Sequence, residues 1–240
     1  DTDTYRLIRH SLEKPVYKEK LRVRSYQPAG PDDPVFVELK KKYKSVVYKR
    51  RLVLPEAQVM KCFEHGKPLP IHSQIGEEIA YFWDYYETLH PTVFLTYERE
   101  AYYALDGSDF RVTFDENILY REEDISLGSK IYGTPILGEN QTLMEIKTSG
   151  GIPLWMSETL TKNTLFKTSF SKYGTAYQQM MDDAIEEAQE NGVTVYRDID
   201  KSKFIEAVQP MHEAFESKGD AYKSLYEDIQ KYAVAEEEEK

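Results

Sequence analysis

Charged and apolar residues alternate along the N-terminal part of the chain. In the segment 18–24 every even position is Lys or Arg, whereas the odd positions include Leu21 and Val23. Because successive side chains of a strand point to opposite faces, this pattern predicts a strand with one cationic and one apolar face. Water alone is one possible neighbour of that face, but four like charges in a row repel one another, which favours an anionic partner. The four positions are Lys18, Lys20, Arg22 and Arg24.

The same alternation, together with turn residues, predicts the other strands and the helices. Strands are expected at about 16–26, 34–42, 44–54, 92–104, 110–120 and 143–148. Helices are expected at about 55–64, 74–87 and 153–161, with a short helix or turn before residue 14 and a polar loop at 121–140. Ser73 is the expected N-cap of the second of these helices. Since strands outnumber helices and hairpins dominate, we predict an α+β fold whose antiparallel sheet curls or closes into a β-barrel or tunnel, with flanking helices.

The C-terminal part follows a different pattern. Amphipathic helices are predicted at 175–191 and 201–234, with a short extended segment at 193–196 between them. Of the net charge of −11, most belongs to this region, because residues 179–240 contain 17 acidic and 7 basic residues. The segment 14–51, in contrast, contains 12 basic and 4 acidic residues. We therefore expect an acidic helical appendage and a cationic N-terminal sheet.

Several classes of protein are excluded by composition. The single cysteine, Cys62, rules out an internal disulfide framework and a cysteine-based metal cluster. No apolar run approaches the roughly 20 residues needed to span a bilayer, and no signal peptide is visible. We expect a cytoplasmic location and, because no initiator Met precedes Asp1, a processed or excerpted piece.

Other predicted strands also have a charged face. A closed barrel would direct these faces into its lumen, where buried Arg and Lys need polyanions to neutralise them. Arg binds phosphate oxygens bidentately, and carboxylates are suitable ligands for Mg²⁺ or Mn²⁺ bridging a phosphate chain. The sets that share a face are Glu38, Lys40 and Lys42; Lys49 and Arg51; Tyr97 and Arg99; Arg111, Thr113 and Asp115; and Glu145 and Lys147.

Seven short motifs follow one another in an order that resembles VTC domains, the polyphosphate polymerases of the CYTH-like triphosphate tunnel metalloenzyme superfamily. The resemblance covers about residues 1–178, and we expect a tunnel domain there and a separate tail at 179–240. The motifs are YKEKLRVRSY at 17–26, VFVELK at 35–40, YKR at 48–50, YER at 97–99, RVTFD at 111–115, MEIK at 144–147 and SKY at 171–173.

The resemblance implies a β tunnel that transfers the γ-phosphate of ATP to a growing polyphosphate chain with a divalent metal, Mn²⁺ or Mg²⁺. The residues that match catalytic, phosphate-gripping positions are Arg22, Arg24, Lys40, Lys49, Arg99, Arg111 and Lys172. Tyr97 and Ser171 match further ligand-binding positions, and Lys20 and Lys147, which lie on the charged faces, are candidates for the same role. Glu145 matches the metal-ligating glutamate, and Glu38 is a second candidate metal ligand or the partner of an internal ion pair with Lys40. The family's domain has an earlier strand with another tunnel lysine, so we expect an open sheet edge here.

A second resemblance concerns the tail. The segments 191–196, 205–210 and 226–232 are similar to the C-terminal end of periplasmic solute receptors of TRAP transporters. In that family this end is a helical appendage that does not bind solute alone. The resemblance implies a natural fusion or a chimera with a join near 178–182.

The sequence therefore predicts a polyphosphate-polymerase-type transferase with ATP and polyphosphate as its partners. A tunnel triphosphatase needs the same phosphate cradle and stays open as an alternative. So does a non-catalytic module that binds polyphosphate or inositol phosphates. A solute receptor is supported only by the tail. Nucleic acid is not an expected partner, because few aromatic residues interleave with the cations. The resemblance leaves room for a membrane partner subunit.

Overall fold

A computed structural model describes residues 1–44, 46–64, 69, 71–196, 200–225 and 227. The chain divides into two compact units, Asp1–Ala184 and Ile185–Lys240. The first unit contains two antiparallel sheets with helices packed on them, and the described part of the second contains helices joined by non-helical segments. The fold is therefore α+β with antiparallel sheets, as predicted from the sequence.

The first sheet has the strand order β1-β2-β3, with β1 at Tyr17–Arg24, β2 at Pro34–Tyr43 and β3 at Val46–Pro55. Adjacent strands are antiparallel, so the even positions of β1 lie opposite the even positions of β2. Lys20 pairs with Lys40, and Lys40 pairs in turn with Lys49. The predicted cationic face is confirmed by this register, because Lys20 and Arg22 of β1, Glu38 and Lys40 of β2 and Lys49 and Arg51 of β3 lie on the same side.

The opposite face of this sheet is apolar and carries the first core. Val35, Val37 and Leu39 of β2 are fully buried there. Helix α1 (Arg6–Leu12) and helices α2 (Glu56–Glu64) and α3 (Gln74–Tyr86) supply the covering side chains, among them Leu7, Val59, Ile79 and Phe82. Helix α3 begins as predicted, because the Ser73 hydroxyl accepts a hydrogen bond from the Gly76 N–H at 3.1 Å. Lys20, Arg22, Lys40, Lys49 and Arg51 thus lie on the side away from this core, whereas Arg50 lies on the core side and pairs with Glu78 of α3.

The second sheet joins β4 (Phe94–Tyr103), β5 (Arg111–Arg121), β6 (Thr134–Pro135) and β7 (Leu143–Lys147). Strand β5 is central, since β4 and β7 both pair with it. The predicted loop at 121–140 contains the two-residue strand β6 and is held by Arg121, whose guanidinium donates hydrogen bonds to carbonyls of Asp124 and Tyr132. Helix α4 (Leu154–Lys162) packs Met156 against Phe110 and Val112.

A bulge in β5 changes which residues face helix α5 (Lys172–Glu190). Between the pairs Thr96–Leu119 and Glu98–Glu116, β5 contains one residue more than β4, and Asn117 has a φ of 48°. A bulge of this kind shifts the alternation by one position. Even-numbered Ile118 and Tyr120 therefore continue the face that odd-numbered residues occupy earlier in the strand, where they pack against Ala176 and Met180 of α5.

No strand of the first sheet pairs with a strand of the second among the described residues. The two sheets are joined instead by the N-terminal segment, in which Leu7 belongs to the core of the first sheet and Tyr5 packs against that of the second. The carboxylate of Asp1 accepts hydrogen bonds from the backbone N–H groups of Leu7 and Ile8 at 3.0 Å and caps α1. None of the helices in the described part of the chain has the length and apolar content needed to cross a bilayer.

The second unit contains α6 (Ser202–Glu216), which has no buried residue. The helix predicted for 201–234 breaks after residue 216, where Gly219 has a φ of 129°, and helical backbone resumes at 220–225. The predicted extended segment at 193–196 forms no strand. The rest of the prediction, at 226 and 228–234, lies outside the described residues.

Candidate phosphate-binding site

The cationic face of the first sheet is organised around one buried carboxylate, Glu38, which is 0% exposed. Arg51 donates to its Oε1 from Nε at 2.9 Å and from Nη2 at 2.6 Å, and Lys49 Nζ lies 2.8 Å from the same oxygen. Arg22 donates to Oε2 from both Nε and Nη2, and Arg24 Nε lies 3.7 Å from Oε1. We call these five residues the Glu38 cluster. One negative charge holds four cations in place.

The cations of the Glu38 cluster determine the protonation state of Glu38. Burial alone would raise the pKa of Glu38, but hydrogen bonds from Lys49 and Arg22, with those from Arg51, outweigh burial and hold the pKa well below its usual range. Glu38 is therefore ionised at neutral pH. The four cations outnumber it, and Arg22 and Lys49 keep 41% and 40% of their side-chain area exposed. The cluster thus retains positive charge that is open to an anion from solvent.

Next to the Glu38 cluster, three lysines form a row across the three strands. Lys20 of β1 lies opposite Lys40 of β2, which lies opposite Lys49 of β3, and we call these the lysine row. Burial and the neighbouring Arg22 lower the pKa of Lys40 from 10.5 to about 8, although Glu38 opposes the shift. Burial, with Lys18 and Arg22, also lowers the pKa of Lys20. Stacked ammonium groups of this kind are destabilised until an anion neutralises them.

The second sheet has a similar arrangement around Asp115, which is also fully buried. Arg99 of β4 makes a bidentate contact with both carboxylate oxygens, at 2.6 Å from Nη2 to Oδ2. Lys172, the first residue of α5, donates to Oδ2. The ring of Tyr97 lies against both cations, with its centroid 5.1 Å from the Arg99 guanidinium carbon and 4.6 Å from Lys172 Nζ. We call Asp115, Arg99, Lys172 and Tyr97 the Asp115 cluster.

In the Asp115 cluster, as in the Glu38 cluster, hydrogen bonds from cations outweigh the effect of burial on the carboxylate. Burial alone would raise the pKa of Asp115, but hydrogen bonds from Arg99 and Lys172 outweigh it and lower the pKa. The hydrogen bonds to Asp115 also raise the pKa of Arg99, against the effect of burial. Two cations therefore share one carboxylate, which leaves the Asp115 cluster with one net positive charge.

Glu145 lies beside the Asp115 cluster on β7 and remains accessible. Its side chain is 44% exposed, with Oε2 3.8 Å from Arg99 Nη2 and Oε1 3.0 Å from Lys147 Nζ. Thr113, directly opposite Glu145 in the register, has a buried hydroxyl oxygen with no hydrogen-bond partner. A buried hydroxyl without a partner is costly, and a ligand or ordered water beside Glu145 would satisfy it.

The other candidates from the sequence lie around these clusters. Arg111 lies opposite Tyr103 and Lys147, two positions along β5 from Thr113, and its guanidinium carbon is 5.8 Å from the Tyr103 ring centroid. Ser171 caps α5 by accepting a hydrogen bond from the Gly174 N–H at 3.2 Å. In the described part of the chain, no hydrogen bond or ion pair links the Glu38 cluster with the Asp115 cluster. The roles in phosphate or metal binding of all candidate residues stay predictions.

Two members of the clusters were not among the site residues selected from the sequence. Arg51 supplies two of the hydrogen bonds to Glu38, and Asp115 is the acceptor at the centre of its own cluster. The period-2 pattern already placed both on the charged faces. What the pattern lacked was the strand register, which decides that Arg51 lies directly opposite Glu38 and Arg99 directly opposite Asp115.

Comparison with known proteins gives a result for the first unit. A comparison with curated proteins gave no match. The family model of the VTC domain matches residues 1–181, about three quarters of the chain, and this segment contains both charged clusters and the lysine row. The match ends where the tail begins, so the similarity of the tail to solute receptors stays a prediction. From its motifs and from this match, the chain belongs to the VTC domain family.

Proposed function

We propose that this protein is a polyphosphate-polymerase-type phosphotransferase that moves the γ-phosphate of ATP onto a polyphosphate chain. Membership of the VTC family supports a function related to polyphosphate polymerases. The observation that carries the proposal is the lysine row, which crosses three strands. Lys49 also contacts Glu38, whereas Lys20 and Lys40 form no ion pair with a carboxylate among the described residues. A linear polyphosphate has a negative charge on each repeating unit. It can therefore contact several ammonium groups of the row at once, which a ligand with a single carboxylate cannot do.

In this proposal the two sheets have complementary roles within a tunnel. The lysine row and the arginines of the Glu38 cluster hold the phosphate chain, with Glu38 fixing the directions of the arginines. Arg99 and Lys172, held by Asp115, and the nearby Arg111 bind the transferring end. Phosphoryl transfer needs alignment of the attacking and leaving oxygens and neutralisation of charge on the equatorial oxygens. These cations supply both without a covalent intermediate.

A divalent cation, Mn²⁺ or Mg²⁺, fits this site through Glu145. The described residues contain no group of three or more His, Cys, Asp or Glu side chains placed to hold a metal. Mg²⁺, however, commonly binds through one or two carboxylates together with phosphate oxygens of the substrate. Glu145 is accessible and adjoins the unpartnered Thr113 hydroxyl, whereas both oxygens of Glu38 already accept hydrogen bonds. The metal would neutralise charge on the phosphate chain.

The test is incubation with ATP and Mn²⁺, followed by gel analysis for polyphosphate and an assay for free phosphate. Long-chain product supports the transferase. Free phosphate alone would replace the proposal with a triphosphatase, and tight polyphosphate binding with neither product would replace it with a binding module. The variant Lys20→Gln/Lys40→Gln should lose product. The matched control is Lys61→Gln/Lys130→Gln, two lysines outside both sheets, which should retain it.

A further inference from the structure

A cavity lies at the rim of the apolar face of the first sheet. It has a volume of about 600 Å³ and is bordered by α1, the C-terminal half of α3 and the paired ends of β1 and β2. Glu19 and Lys41, which line it, are opposite one another in the register and belong to the face away from Lys20 and Lys40. None of Lys20, Lys40 and Lys49 lines this cavity, which we call the outer pocket, although Lys18 of the cationic face reaches it.

Four cations of the outer pocket form no ion pair with a carboxylate within the described residues: Arg6, Arg9, Lys18 and Lys41. Glu19, which lines the same pocket, is held by two tyrosines. Its Oε1 accepts a hydrogen bond from the Tyr86 hydroxyl at 3.0 Å, and its Oε2 accepts one from the Tyr17 hydroxyl at 2.7 Å. Arg6 and Arg9 are three residues apart on one helix and therefore share a face. Glu13 also lines the pocket, with its Oε2 3.5 Å from His10 Nδ1. The four cations outnumber the two carboxylates, so the pocket keeps a net positive charge for an anion.

Exposed aromatic rings stand beside these cations. Tyr81 and Tyr85 are 70% and 53% exposed, and their rings are nearly parallel, with centroids 6.3 Å apart and an interplanar angle of 23°. The Arg6 guanidinium carbon lies 5.6 Å from the Tyr85 centroid and 5.4 Å from that of Tyr86. An exposed ring face in a pocket is a stacking surface for a planar ligand, and an arginine lying over a neighbouring ring keeps N–H donors for an anion.

We propose that the outer pocket binds a nucleoside di- or triphosphate at a site distinct from the phosphate-transfer site. The base stacks on the exposed face of Tyr81 and Tyr85, and the phosphates lie against Arg6, Arg9 and Lys41. A ring-free oligophosphate would need the cations alone, and would leave the two tyrosines without a partner. This inference rests on different residues from the proposed transfer reaction and does not depend on it.

The experiment is calorimetric titration of the whole chain with ADP in the absence of divalent metal, and separately with tripolyphosphate. Each ligand is tested on wild type, on Lys20→Gln/Lys40→Gln, and on the pocket variants Arg6→Gln/Lys41→Gln and Tyr81→Ala made in both of these backgrounds. Tyr81→Phe is the matched control, since it keeps the ring. Thermal melting checks that each variant is folded, and the exposure of Tyr81 makes its replacement structurally mild.

We expect ADP to bind the Lys20→Gln/Lys40→Gln variant, because the outer pocket is intact in it. On that background Tyr81→Ala and Arg6→Gln/Lys41→Gln should each weaken ADP at least tenfold, and Tyr81→Phe should not. Tyr81→Ala should leave the tripolyphosphate affinity unchanged. Equal affinity for ADP in all pocket variants would overturn the proposal, as would an equal loss of both ligands in Tyr81→Ala. Loss of polymerase activity in Lys20→Gln/Lys40→Gln is a test of the transfer site. The ADP affinity of the same variant tests the outer pocket, so the two proposals can fail independently.

Discussion

Lys172 at the first position of α5 donates a hydrogen bond to Asp115 in the middle of β5, across 57 residues of sequence. This contact fixes the start of a 19-residue helix to the charged face of the second sheet. Since Asp115 is fully buried, its charge depends on Lys172 and Arg99 for compensation. One lysine therefore links the position of a helix to the charge of the candidate site.

The first prediction concerns this contact. Replacement of Lys172 by Met should lower the free energy of unfolding by about 1–3 kcal/mol, because the buried carboxylate loses one of its two charged donors. Tripolyphosphate affinity should fall as well, since the face loses a positive charge. Urea unfolding and calorimetry measure the two effects. Lys167→Met, an exposed lysine five residues earlier, is the control, and equal behaviour of the two variants would show that the Asp115 contact has no energetic role.

The second prediction concerns Glu38. Glu38→Gln leaves the arginines and Lys49 of its cluster without their shared counter-charge, and should destabilise the fold by about 3–5 kcal/mol. Tripolyphosphate supplies the missing negative charge, so it should raise the melting temperature of Glu38→Gln more than that of wild type. Differential scanning fluorimetry with increasing ligand measures this difference. Equal shifts in both proteins would mean that phosphate does not reach the Glu38 cluster.

The third prediction is a pH dependence set by Lys40, whose pKa is lowered to about 8. Below pH 8 the side chain is charged in the free protein, and above it the side chain is neutral, so tripolyphosphate affinity should fall as pH rises from 7 to 9. A bound anion raises the pKa of Lys40 again, and binding near pH 8 should therefore take up a proton. The pH dependence of stability has the opposite sign. Between about pH 8 and pH 10.5 the unfolded chain binds more protons at Lys40 than the folded chain does, so the free energy of unfolding rises with pH.

Calorimetry in buffers of different ionisation heat measures the proton uptake. Lys40→Arg keeps the positive charge throughout this range, because guanidinium stays protonated. The same ligand titrated into Lys40→Arg also accounts for the ligand's own ionisation. An equally steep loss of affinity in Lys40→Arg and wild type would assign the pH dependence to another group.

Local sequence pattern predicts the faces of the strands because a strand's period is two and does not depend on its neighbours. Lys20 and Arg22 share a face in the structure as they do in the pattern. Ser73 likewise caps α3, since an N-cap is a contact over three residues. The helices and strands of the first unit were therefore predictable, apart from the two-residue β6.

Contacts between strands could not be predicted in this way. The register of three strands decides which cations contact Glu38. Asp115 is contacted by Lys172, which lies on a helix far along the chain. The bulge at Asn117 is another example. A single extra residue shifts Ile118 and Tyr120 to the face of Asp115, and alternation counted from Arg111 places them on the wrong side. Such features arise from pairing geometry rather than from residue type.

The fourth prediction separates metal binding from phosphate binding at Glu145. Glu145→Gln should abolish metal-dependent turnover of ATP, because the amide is a poor ligand for a hard divalent cation. Metal-free tripolyphosphate affinity should be unchanged or slightly higher, because Arg99 and Lys147 lose a neighbouring negative charge. Turnover assays across a range of Mn²⁺ concentrations, with calorimetry in chelator, measure the two properties separately. Glu158→Gln, an exposed glutamate on α4, is the control. Turnover retained in Glu145→Gln at the same Mn²⁺ dependence would remove Glu145 from the metal site, and the unpartnered Thr113 hydroxyl would then need another ligand.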